Sequence, residues 1–239
     1  MKSVKFRMIA IALLSATMPF TAKAQDKVEA SVGADFVSNY IWRGTDCGGV
    51  SIQPSMGVSY KGLSLAAWGS VGIDKEDARE IDLTLGYTTG GFNVSVTDYW
   101  FSYHKEDGGY TGDYFKYGAH STVHIFEATL GYDFGPLALS WNTYFAGDDY
   151  TKENGDRAYS TYVGISAPFK LGGLDWSAEV GLTPWEGAYA NKFNVTNLTL
   201  KAEKEIKFTN YFSLPTFAQV TFNPHTQGAY FVFLSLIHI

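Results

Sequence analysis

Residues 28–43 read VEASVGADFVSNYIWR. Val28, Ala30, Val32, Ala34, Phe36, Tyr40 and Trp42 share one parity, and Glu29, Ser31, Asp35, Asn39 and Arg43 share the other. Successive side chains of a strand point to opposite faces, so this alternation marks a strand with one apolar and one polar face. The run is also long. Soluble strands average about 5–6 residues, whereas a tilted crossing of a bilayer takes about 9–11. Residues 50–60 repeat the pattern, with Val50, Ile52, Pro54, Met56, Val58 and Tyr60 set against Ser51, Gln53, Ser55, Gly57 and Ser59.

Working outward, ten more runs read as strands: 63–73, 79–89, 92–102, 122–134, 137–146, 158–169, 174–183, 195–208, 211–222 and 229 onward. The total of 12 is even, as a single-chain bacterial barrel requires. Connections alternate short and long. Lys61-Gly62, Gly90-Gly91, Gly135-Pro136, Leu171-Gly172-Gly173 and Thr209-Asn210 are tight turns. Residues 44–49, 74–78, 103–121, 147–157, 184–194 and 223–228 are longer polar or glycine-rich loops. The expected fold is therefore all-β: a closed antiparallel transmembrane β-barrel of about 12 strands. Its short turns and both termini would lie in the periplasm and its longer loops outside the cell. A soluble sandwich or lipocalin-like barrel would also alternate, but it would not need strands this long or this loop rhythm.

The N-terminus reads as an export signal. Lys2, Lys5 and Arg7 precede an apolar stretch, Met8 to Phe20, and Ala22-Lys23-Ala24 fits the small-x-small cleavage rule. Residues 1–24 would be removed, leaving 25–239 as one barrel domain in the bacterial outer membrane. Loss of four of the 18 basic residues and none of the 24 acidic ones gives a net charge of −10, which argues against nucleic acid as a partner. The partners this implies are outer-membrane lipid and lipopolysaccharide, barrel-assembly machinery and periplasmic chaperones, and small hydrophilic solutes. Cys47 is the sole cysteine and falls in an expected loop, so it has no partner within the chain.

Aromatic residues gather near strand ends in two sets, as membrane interfaces require. Tyr60, Tyr87, Phe92, Phe134, Phe169, Trp176 and Phe212 lie near the turns, and Tyr40, Trp42, Trp100, Phe145 and Trp185 near the loops. The polar parity defines candidate lumen-lining residues: Glu29, Asp35, Asn39 and Arg43, then Glu80, Asp82 and Tyr99, then Glu127 and Asp133, Asp175 and Glu179, and Lys201 and Glu203, with Glu205 and Lys207 on the same face. Charges on one parity are what any such barrel shows. The excess of carboxylates goes further, because acidic linings favour cations. The alternative is a lumen plugged by internal salt bridges. Trp68, Tyr99, Phe101, Tyr144 and Tyr162 could line a path for one solute class.

Nothing in the sequence calls for a cofactor, a metal or a catalytic residue. His120, Ser121 and His124 lie together, but Ser121 and His124 fall on opposite strand parities. His120 and His124 share a parity without a carboxylate at a matching position to complete a metal site. Loop 147–157 is rich in oxygen ligands, yet it lacks the spacing of an EF-hand and reads as a solvated loop. Asn194-Val195-Thr196 and Asn197-Leu198-Thr199 match glycosylation sequons inside a strand, a coincidence of composition.

Several motifs occur together: Tyr40-Ile41-Trp42-Arg43-Gly44, Ser51-Ile52-Gln53-Pro54, Ala67-Trp68-Gly69-Ser70, Trp141-Asn142-Thr143 with Gly147-Asp148-Asp149, and Asn223-Pro224. In these the chain resembles the TorF-like porin family over nearly its whole mature length. The resemblance implies an outer-membrane barrel with pore activity and supplies no substrate. The expected function is a narrow channel for passive diffusion of small hydrophilic solutes with a weak preference for cations. A solute-specific channel, an outer-membrane lipid-modifying enzyme and a closed structural barrel stand as the alternatives. The end departs from the pattern. Leu234-Ser235-Leu236-Ile237-His238-Ile239 is the in-frame reading of a common sequencing adapter, so the natural gene is expected to diverge after Phe233.

Overall fold

The computed structural model describes residues 27–105, 109–209 and 213–238. The expected leader, the tip of loop 103–121 at 106–108, Asn210 and Phe212 lie outside the described residues. The strands are β1 (Glu29–Val37), β2 (Tyr40–Trp42), β3 (Thr45–Gly48), β4 (Ser51–Tyr60), β5 (Leu63–Gly72), β6 (Arg79–Thr89), β7 (Phe92–Ser102), β8 (Ile125–Asp133), β9 (Ala138–Gly147), β10 (Thr161–Leu171), β11 (Leu174–Thr183), β12 (Asn194–Lys207), β13 (Ser213–Asn223) and β14 (Gly228–His238). All but β2 and β3 form one antiparallel closed barrel, in the order β1-β14-β13-β12-β11-β10-β9-β8-β7-β6-β5-β4. The 12-strand all-β barrel expected from the alternation is thus the observed fold, and β6, β7 and β11 span the residues that the sequence marks out.

Its polarity is inside out. Leu65, Leu83, Leu85, Val96, Leu130 and Trp141 stand exposed on the outer wall. Buried side chains are largely Ser, Thr, Asn, Gln, Asp and Glu. A soluble protein would bury the first set and expose the second.

The first strand differs from expectation. It ends at Val37, and residues 40–48 form a separate two-stranded sheet, β2 and β3. The continuous strand over 28–43 and the loop at 44–49 are therefore corrected to a strand followed by a hairpin. The barrel sets the limit. β1 pairs with β4 from Glu29↔Ser59 only as far as Val37↔Ser51, and on its other edge one further backbone bond, from the Ser38 amide to the Phe233 carbonyl at 3.0 Å, ends the run. Trp42 then pairs with Thr45 across Arg43 and Gly44, whose φ values are +50° and +79°. Positive φ at both central residues is the type I′ turn, whose twist suits a two-residue hairpin.

Closure falls to the end of the chain. β14 meets β1 through Leu234↔Val37 to His238↔Gly33, so residues 234–238 supply the β1–β14 register.

Candidate functional site in the barrel mouth

The hairpin folds into the lumen at the loop end and crosses it. Tyr40, at its start, packs its ring 5.5 Å from Trp68 on β5. Trp42 reaches Tyr99 on β7 at 5.8 Å and Tyr189 of loop 184–193 at 6.1 Å. The tip reaches the opposite wall. The Gly44 carbonyl accepts from Asn223 Nδ2 on β13 at 3.0 Å. A Cβ on Gly44 would lie 1.9 Å from the Thr196 carbonyl oxygen on β12, so the tip needs glycine both for its φ and for this approach. Tyr40 and Trp42, expected in the outer aromatic set, are therefore lumen residues. The polar–apolar pattern of β1 slips at Val37, an apolar residue that faces inward, and the strand ends there, with a bend at Ser38 and Asn39 before the hairpin.

Arg43 is the latch. Its Nη1 donates to Glu127 Oε2 at 2.5 Å and its Nη2 to Glu127 Oε1 at 2.9 Å. The two side chains are only 3% and 2% exposed. Nη1 also donates to the Tyr189 hydroxyl at 2.6 Å, and that hydroxyl donates on to Tyr144 at 3.1 Å. Tyr99 donates to Glu127 Oε1 at 3.0 Å. The guanidinium carbon lies 4.3 Å from the Trp42 ring centre and 4.8 Å from that of Tyr162. The fork thus donates three hydrogen bonds while its planar face meets aromatic rings, an environment suited to a buried guanidinium. Burial works against the Arg43 charge, but the Glu127 carboxylate beside it holds its pKa well above the ordinary value. Burial likewise pushes the Tyr189 hydroxyl up to about 12, keeping it a neutral donor.

A second network lies beside the latch. The Tyr162 hydroxyl donates to Glu179 Oε1 at 2.5 Å, and Asn197 Nδ2 reaches both Tyr162 and Glu179 at 3.0 Å. Gly181 makes room for it, since a Cβ there would sit 2.0 Å from the Tyr162 oxygen. Tyr99, Tyr144, Tyr162 and Tyr189 thus form one buried cluster, with Trp42 and Phe101 packed against it. Of the aromatic residues expected to line a path, Tyr99, Tyr144 and Tyr162 instead belong to the cluster around Arg43, Phe101 packs against that cluster, and Trp68 packs on Tyr40.

The remaining candidates divide by height in the barrel. Glu80 and Asp82 are buried on β6 near the loop end, and Asp82 Oδ1 has no hydrogen-bond partner. Asp35 is half-buried on β1 with Oδ1 unpaired. Asn39 donates to Asp46 Oδ1 at 3.1 Å and to the Gly48 carbonyl at 3.2 Å, closing the base of the hairpin. Lys201 pairs with Glu203 on its own strand and sits over the Phe217 ring at 4.1 Å. Glu29, Asp133 and Asp175 lie at the turn end. Glu29 and Asp133 are exposed there, Asp133 accepting from the Gly135 amide at 2.7 Å, while Asp175 pairs with Lys170.

Cys47, on β3, is half-buried in the hairpin. Burial, reinforced by the carboxylates of Glu80 and Asp46, pushes its thiol up to about 12. Among the described residues no group of three or more His, Cys, Asp and Glu is placed to hold a metal. Ser121 Oγ donates to the Gly118 carbonyl rather than to a histidine, so it forms no nucleophile–base pair. In loop 147–157, Asp149 accepts from Ser160 and Asp156 from Asn154. Asn197, of the second sequon, is buried in the lumen network.

Comparison with known sequences finds no matching family model and no matching characterised protein.

Two residues, one in the mouth and one on the outer wall, escape a reading of the sequence. Tyr189 sits in an irregular loop where no periodicity assigns a face. His124 has a partner that parity along its own strand does not reveal: Asp98, on the neighbouring strand.

Proposed function

We propose that the protein is an outer-membrane channel for small hydrophilic solutes, closed at its outer mouth by the hairpin 40–48 and opened when the Arg43–Glu127 latch lets go. One observation carries this reading: the lumen is sealed at one end and wet at the other. On β4 to β7 the inward residues near the loops, Ser51, Gln53, Trp68, Ser70, Glu80, Asp82, Thr97 and Tyr99, are buried. On the same strands the inward residues nearer the turns, Ser55, Gly57, Ser59, Ser64, Thr84, Gly86 and Ser95, are half-exposed although they face the barrel interior. Small polar side chains around an interior that water reaches suit a path for solutes.

The apolar outer wall supports a membrane position. An exposed band of Leu, Val and Ile with aromatic residues at its borders costs little in lipid and much in water. The resemblance to TorF-like porins points the same way. Cation preference belongs to the open state, in which the latch is released and water reaches the otherwise buried carboxylates of Glu80, Asp82, Glu127 and Glu179, while Glu203 offsets Lys201.

A second reading, a permanently closed structural barrel, draws support from the completeness of the latch. Solute efflux from vesicles separates the two. The channel reading expects small sugars and amino acids to leave vesicles bearing the protein slowly, and faster when Arg43→Ala and Glu127→Ala are combined, with dextran retained. No efflux from either protein, with the barrel folded, would overturn the channel.

A further inference from the structure

The longest loop carries a polar pair that the channel does not use. Asp98 lies opposite Phe126, one register step from the inward pair Thr97 and Glu127, so it points to the outer wall. His124, just before β8, is fully buried against it. His124 Nδ1 lies 2.7 Å from Asp98 Oδ1, and Nε2 lies 2.7 Å from the Tyr114 carbonyl oxygen. A carbonyl can only accept, so Nε2 carries a proton, and a second proton is shared between Nδ1 and the carboxylate. This staple ties the middle of loop 103–124 to the outside of the barrel. Tyr117 also donates to Asp98 Oδ2 at 3.4 Å.

Around the staple the loop continues the outer aromatic belt. The Tyr117 ring lies 4.2 Å from His124 and 6.4 Å from Phe126, and the Tyr114 ring lies 5.4 Å from Trp100. Phe126 in turn neighbours Phe145 at 6.4 Å. Phe115 projects outward from this patch and is 89% exposed, the largest value among the apolar side chains of the described residues. Lys116 beside it is exposed too. An aromatic ring and an amine at the border of an apolar band match the headgroup–acyl boundary of a lipid leaflet.

We propose that residues 113–117 form a foot that binds outer-leaflet lipid, with Phe115 inserted at the headgroup–acyl boundary and the His124–Asp98 pair holding it there. This rests on the membrane reading above, and the test separates the two. In a Cys47→Ser background, single cysteines replace Phe115, Leu83 on the outer band and Glu153 in another loop, each carrying an environment-sensitive fluorophore. The proteins are placed in vesicles of phosphatidylethanolamine and phosphatidylglycerol with nitroxide lipids labelled near the carbonyl or near the chain end. Segments lying in the interface bury about 5–10 Å below the surface, so the label at 115 is expected to lose about half its signal to the shallow nitroxide. The label at 83 is expected to respond more to the deep nitroxide, and the label at 153 to neither. Asp98→Asn is expected to abolish quenching at 115 and leave it at 83. Quenching at 83 without quenching at 115 overturns the foot and leaves the membrane reading in place. Quenching at neither site overturns both. Quenching at 115 that survives Asp98→Asn overturns the staple.

Discussion

Two segments leave the loop end of the barrel and turn opposite ways. Hairpin 40–48 turns inward and loop 103–124 turns outward, yet each is fastened by a nitrogen-bearing side chain against a carboxylate of the β7–β8 pair. Glu127 and Asp98 stand one register step apart, Glu127 opposite Thr97 and Asp98 opposite Phe126, and so face opposite sides of one wall. Parity at a single rung sets which side of the wall each carboxylate, and the segment fastened to it, faces. The fastenings also differ in kind. Arg43 is always charged, holds its partner with two parallel bonds and is enclosed by tyrosines. His124 shares a proton with Asp98 and spends its other nitrogen on a backbone carbonyl.

The largest expected effect is on Cys47, which reports hairpin docking. With its thiol pushed up to about 12, reaction with a maleimide in the docked hairpin should be slow and should keep rising with pH up to that value. Arg43→Ala should free the hairpin, return the thiol to about 8.5 and speed labelling at pH 8 by about 10²–10³-fold, with a plateau above about pH 9. An unchanged rate would mean that the latch does not hold the hairpin. Next comes stability. Glu127→Ala strands a buried guanidinium and should cost about 3–5 kcal/mol in denaturant unfolding, while pairing it with Arg43→Leu should recover much of the loss. A double variant no more stable than the single one would break the account of a self-contained pair.

The outer loop should respond separately. His124→Gln is expected to raise protease cleavage after Lys116 by about tenfold, the scale of one hydrogen bond to a charged group, without changing Cys47 labelling. Faster labelling in that variant would show that the two segments are coupled. The smallest effect concerns selectivity. Glu80→Gln with Asp82→Asn should lower the cation preference in reversal-potential measurements about twofold in dilute salt. Little of this should remain at 1 M, where the Debye length is about 3 Å. A preference for anions in the unmodified protein would contradict the assignment of these carboxylates to the pore wall.

The wall of the barrel was legible because a strand with one apolar and one polar face writes its parity into every second residue. Leu83 against Asp82, or Val96 against Thr97, leaves no second reading. The mouth was less legible. Tyr40, Trp42 and Arg43 continue the alternation of β1, so pattern alone extends the strand through them. What ends it is the register with β4, a long-range fact that no local window contains. Two local signs were present: the slip at Val37 and Ser38, and Arg43-Gly44, a pair suited to a tight hairpin turn. The inward facing of Glu127 could be read, but its partner at 84 residues' separation could not. The partner of His124 was hidden for a related reason, since its carboxylate lies across a strand pair and its cover, Tyr114 and Tyr117, comes from a loop.

The claim that the inward hairpin is the closure, and Arg43–Glu127 its latch, is tested most directly by single-channel recording in a planar bilayer. The unmodified protein and the Arg43→Ala/Glu127→Ala variant are compared in the same lipid and salt. The account predicts brief, rare openings for the first, and for the second a stable open level with at least about a tenfold rise in time spent open, the effect of shifting a two-state equilibrium by about 1.4 kcal/mol. Equal open time in the two proteins, or steady full conductance in the unmodified one, would contradict it.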